Sequence, residues 1–184
     1  MKVDQLQMMF PLGMHVPNGL GRLCDYSEQP GTRIGCDFKL RANRRTAELV
    51  FRDVEGGDKQ VALFGIDGRQ SLYGYWMYDG RLPEQAPIVY IHHEGEGTAV
   101  IANSLEEFLS LLALGYEETG LVRAWQGQRV PCSGIGPFRA WLKDEWGISP
   151  STDGRVLVAQ AQRMHPDFDA WIRRERARFS ENLK

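Results

Sequence analysis

Two imidazoles followed by carboxylates make His92-His93-Glu94-Gly95-Glu96 the most chemically suggestive string in the 184-residue chain. Imidazole nitrogens and carboxylate oxygens are metal ligands. If the string continues a strand, His92 and Glu94 share one face and His93 points to the other. Catalytic zinc usually takes three protein ligands, and the other histidines are His15 and His165, far away along the chain. The expectation is polar residues at a strand end entering a tight turn, with no metal and no cofactor. A small metal-dependent hydrolase built on His92, His93 and Glu94 is the alternative.

Nucleophilic chemistry has less to stand on. The chain has no G-x-S-x-G elbow, and PCSGIG around Cys132 follows no strand and opens no phosphate loop. NGLGRL and GIDGRQ match neither the dinucleotide fingerprint nor the phosphate loop, so they read as turns. Cys24, Cys36 and Cys132 are odd in number and lack paired close spacing, and they read as reduced thiols of a cytoplasmic protein. No residue is assigned a catalytic role. The arginines of IRRERARF are balanced by Asp167, Asp169, Glu175 and Glu181, as on a solvated helix face.

Charge leaves one local signal. Between Gly65 and Glu107 seven acidic residues face two basic ones, and Asp67, Asp79, Glu94 and Glu96 flank the expected turns. These four are the candidate partner-binding residues, and the partner they suit is a basic protein surface. The whole chain carries a net charge of -2, so no global positive field attracts nucleic acid or a membrane surface. The amino-terminal apolar run is interrupted by Pro11 and Gly13, and no stretch approaches the roughly 18 apolar residues a bilayer span needs. A hydrophobic fraction of 42% and a charged fraction of 25% are those of a chain that buries a core and folds unaided.

The elements that must hold these residues follow from periodicity. Residues 1–31, rich in glycine and proline, form a loop-rich edge. Ile34, Cys36, Phe38 and Leu40 alternate as in a half-buried strand, and Ala47, Leu49 and Phe51 continue the alternation to make a hairpin. VALFGI, SLYGYWMY, PIVYIHH and TAVIA are aromatic or β-branched runs between turn residues. A helix starts at Ser104, with Glu107 three residues on and an apolar stripe of Leu105, Phe108, Leu109 and Leu112 ending at Gly115. Three more helices fit 137–146, 154–164 and 166–179. Their inward residues include Phe138, Trp141, Trp171 and Ile172, and Trp76 lies inside a strand, so the tryptophans belong to the core rather than to a ligand cage. The sum is one α+β domain, 1–184, with a sheet over 32–102 and a mainly helical part over 103–184. Its sheet is antiparallel or mixed, of about five to six strands, with helices on one side.

The segment Ala62 to Gly115 resembles the SUKH superfamily of Smi/Knr-like proteins. The parts that carry the resemblance are the Gly and Asp turn, the strand ending near Tyr75 and Trp76, the Pro87 to Tyr90 strand, the Glu94 to Glu96 turn and the Ala102 to Leu109 helix start. The amino end lacks the amphipathic helix and Leu-Pro with which members commonly open. The resemblance implies an immunity protein of a bacterial polymorphic toxin system. Such a protein binds a cognate toxin domain without catalysis, and Smi/Knr-like regulatory or scaffolding proteins are the second reading within the class.

Overall fold

The computed structural model describes residues 1–41, 44–94, 97–116, 131–150 and 153–182. Its centre is a five-stranded sheet in the order β1-β2-β3-β4-β5, every neighbouring pair antiparallel. The strands are β1 (Lys39–Leu40), β2 (Val61–Ile66), β3 (Leu72–Trp76), β4 (Ile88–Ile91) and β5 (Ala99–Ala102). The last four coincide with the four aromatic and β-branched runs. The α+β class and the antiparallel sheet are as the sequence implied.

Helices lie against both faces of the sheet, not one. Successive strand residues point to opposite faces, and every residue of β2 and β4 is buried. On β3, Tyr73 packs its ring 5.4 Å from Phe108 of α5 (Leu105–Leu112). Trp76, three residues on and so on the other face, packs against Phe168 and Trp171 of α8 (Phe168–Asn182) at 4.8 and 5.4 Å. Gly65 permits a close approach on β2, because a Cβ there would overlap the ring of Phe38.

Helix α5 has the expected construction. Ser104 accepts a hydrogen bond from the backbone of Glu107 (3.3 Å), while the Glu107 carboxylate reaches back to accept from the backbone of Asn103 (2.9 Å). Leu105, Phe108, Leu109 and Leu112 are all buried, and Gly115 takes a positive φ of 74° just beyond the helix. Two later helices, α6 (Gly136–Trp146) and α7 (Gly154–Met164), match their expected spans closely. Trp141 of α6 is half-buried and stacks on Tyr26 at 4.3 Å. On α8, Arg173 pairs with Asp169 and Arg178 with Glu175, while Arg176 reaches Asp53 outside the helix, so these three arginines all have carboxylate partners.

The first sixty residues differ from the sequence expectation. The segment read as a loop-rich edge contains α1 (Val3–Gln7) and α2 (Asn18–Glu28). In α2, Leu20, Leu23 and Cys24 are buried at i, i+3 and i+4, a helical stripe beneath the glycines. The long strand from Arg33 shrinks to Lys39–Leu40, because 34–38 folds back on itself through an Ile34–Phe38 bridge with Gly35 at positive φ. The second arm of the expected hairpin is a helix, α3 (Arg44–Val50), followed by α4 (Gly57–Gln60). Ala47 and Phe51 are buried but Leu49 is 58% exposed, the i, i+4 pattern of a helix face rather than the period of two of a strand.

Cys36 and Cys132 are joined in a disulfide that spans 96 residues of chain, which corrects their reading as reduced thiols. Residues so far apart in sequence reveal no pairing by spacing, and the cysteines no longer argue for a reducing compartment. Cys24 is free and buried, and burial pushes its thiol up to about 11. Among the described residues no helix is long and apolar enough to cross a membrane.

Candidate functional site

The end of the sheet where β3 begins and β4 finishes gathers most of the polar chemistry. Leu72 and Ile91 are paired there, so the turn before β3 and the segment after β4 are neighbours. The turn is built on Asp67. Its Oδ1 accepts from the backbone N–H groups of Arg69 and Ser71, both at 2.9 Å, and its Oδ2 accepts from the Tyr73 hydroxyl at 3.3 Å. Asp67 is 2% exposed. Burial raises its pKa, opposed by the two backbone hydrogen bonds. The sequence reading of Asp67 as a partner contact is therefore corrected: the carboxylate is consumed in holding its own turn.

Beyond β4 the chain leaves the sheet at His92, so alternation no longer separates the imidazoles. The rings of His92 and His93 lie 4.4 Å apart, against the expectation that His93 points away. His92 is buried, its backbone N–H donates to Thr98 Oγ1 (3.3 Å), and its Nδ1 accepts from the backbone of Glu94 (3.2 Å). His93 and Glu94 are exposed, with Nε2 and Oε1 3.8 Å apart. On its other side, His93 Nδ1 is 3.4 Å from the Ser71 hydroxyl, which accepts from the Tyr90 hydroxyl at 3.0 Å.

Ser71, His93 and Glu94 thus stand in the order of a nucleophile, base and orienting acid, a constellation the sequence reading missed because Ser71 lies 22 residues from His93. The arrangement does not provide an accessible nucleophile: Ser71 is fully buried. The two histidines also line a cleft of about 330 Å³ whose walls include Leu63, Leu72, Ile91 and Arg41.

The acidic residues do not form one surface. Asp79 is exposed, with φ 55°, but follows β3, whereas Glu94 follows β4. The two strands run antiparallel, with Tyr75 opposite Ile88 at one end and Leu72 opposite Ile91 at the other. Asp79 and Glu94 are consequently at opposite ends of the sheet. Beside Asp79, Arg81 lies over the Tyr78 ring at 4.4 Å. Glu96 lies outside the described residues. Trp76 is 1% exposed and belongs to the core, as expected.

Comparison with protein-family models, with curated proteins and with solved structures returned no match.

Proposed function

We propose that this chain is a non-enzymatic protein-binding module of the SUKH kind, an immunity protein that neutralises a cognate toxin domain by tight non-covalent association. The supporting observation is the continuity of Ala62–Gly115. Among the described residues, four strands in sequence order, each paired with the next, are followed by the Ser104-capped α5, the order of strands and helix start on which the resemblance rests. A regulatory or scaffolding Smi/Knr-like protein uses the same binding chemistry with a different partner.

Among the described candidates, recognition by exposed carboxylates falls to Asp79 or Glu94, and their placement at opposite ends of the sheet makes them alternatives for one compact basic partner. Electrostatic steering raises association rates and fades with salt. The experiment is association rate against ionic strength for the wild type, Asp79→Lys and Glu94→Lys with a purified partner. One of the two reversals is expected to slow association and flatten its salt dependence. Equal rates and slopes in all three proteins would remove both carboxylates from the interface.

The hydrolase reading draws support from one specific observation, the closeness of candidate ligand atoms on His92, His93 and Glu94, all within 4.8 Å of one another. It ranks second because all three groups would be spent as ligands, which leaves none of them to act as general base toward a metal-bound water.

A further inference from the structure

We infer that His92, His93 and Glu94 form a binding site for one divalent transition-metal ion of the zinc, nickel or copper class, on the wall of the cleft. This does not depend on the protein-binding reading. Ligand atoms about 2.0–2.2 Å from a tetrahedral ion stand roughly 3.3 Å from one another. One candidate atom from each of the three residues lies within 4.8 Å of the other two, and His93 Nε2 is already 3.8 Å from Glu94 Oε1. The remaining closure is on the order of an ångström. Rotation of the exposed Glu94 side chain and the partly exposed His93 ring, together with a shift of the exposed Glu94 backbone away from His92, can supply it.

His92 is the fixed member, held by burial and by its backbone bond to Thr98. A neutral His92 that accepts at Nδ1 carries its proton on Nε2, so an ion takes Nδ1 and displaces the 3.2 Å bond from the backbone of Glu94. Glu94 is exposed, so water can satisfy the released N–H. His93 is oriented from behind. With Nε2 on the ion, its Nδ1–H faces the Ser71 hydroxyl at 3.4 Å, and Ser71 is held by Tyr90 at 3.0 Å. An outer hydrogen bond of this kind fixes the tautomer and strengthens a histidine ligand.

Two nitrogens and one oxygen favour zinc, nickel or copper over magnesium and calcium, which seek oxygen alone. Three protein ligands leave a coordination position open. Because an imidazole nitrogen binds a metal only when unprotonated, affinity falls as the pH is lowered.

The test is calorimetric titration of untagged, chelator-stripped protein with ZnCl2 at pH 7.5 and pH 5.5, with the visible spectrum of the Co2+ form as a second readout. The expected result is one equivalent bound in the micromolar range or tighter at pH 7.5 and at least tenfold weaker at pH 5.5. CaCl2 is expected not to bind. His93→Ala and Glu94→Gln, both at exposed positions, should each weaken zinc at least tenfold while melting as the wild type does. His15→Ala, which removes a distant exposed imidazole, should leave affinity unchanged. Absence of saturable binding, or binding that survives the His93→Ala, Glu94→Gln double substitution, would overturn the site. So would a loss in His15→Ala as large as that in His93→Ala.

Discussion

Nε2 of His165 lies 3.1 Å from Oδ1 of Asn103. An amide oxygen only accepts, so Nε2 carries the proton and Nδ1 accepts from the Tyr78 hydroxyl at 2.8 Å. Asn103 in turn donates to both carboxylate oxygens of Glu107 at 3.1 and 2.9 Å. One neutral imidazole therefore ties the α7–α8 junction to the segment after β3 and to the start of α5.

This relay makes stability depend on pH. Burial first, then the nearby Arg81, holds the His165 pKa below the ordinary imidazole value, with Glu107 opposing. Below the ordinary value the unfolded chain binds a proton that the folded chain resists, so stability falls with pH. His165 contributes fully above about pH 6.5, and its contribution is lost as the pH falls through the lower folded value. Urea unfolding from pH 7.5 to 5 should show the wild type losing stability relative to His165→Gln, which cannot titrate. Parallel profiles for the two proteins would show that His165 is not the group responsible.

Asp67→Ala leaves two backbone N–H groups and the Tyr73 hydroxyl without their acceptor in a buried turn. A loss of about 2–3 kcal/mol in unfolding free energy is expected. Asp67→Asn, which keeps an oxygen for the two amides, should cost less. Chemical denaturation of the three proteins measures the order, and an Asp67→Ala protein as stable as the wild type would put the carboxylate back among the surface groups.

Trp76 joins β3 to α8 through Phe168 and Trp171. Its replacement by Ala should cost about 3–5 kcal/mol. Trp76→Phe should cost less, since a ring remains and, among the described residues, the buried Nε1 has no acceptor to lose. Thermal melting reads both, and a Trp76→Ala protein that melts like the wild type would contradict the packing.

Four strands and the α5 helix were legible because their signals were local and strong: aromatic and β-branched runs between turn residues, and a serine cap over an apolar stripe. The amino-terminal third was not. Leu49, exposed between buried Ala47 and Phe51, imitates a strand's alternation, and only tertiary packing decides that it is a helix. Glycines around Leu20 and Leu23 likewise obscured α2. At the candidate site, Asp67 and Asp79 stand at turns as the sequence implied, but sequence carries no measure of burial or of which sheet end a turn occupies. The partnership of Ser71 with His93 arises from strand register, and that of Cys36 with Cys132 from the fold as a whole.

The central claim is that the chain acts by occupying a protein partner, not by turnover. The most direct measurement is the stoichiometry of neutralisation: a purified toxin domain that forms a complex with the chain is assayed for activity against increasing amounts of it. The account predicts inhibition that rises linearly and completes at one chain per toxin, with a one-to-one complex by calorimetry and an unmodified toxin recovered after dissociation. Complete inactivation by a small fraction of an equivalent, leaving a cleaved or altered toxin, would contradict it and make the chain an enzyme.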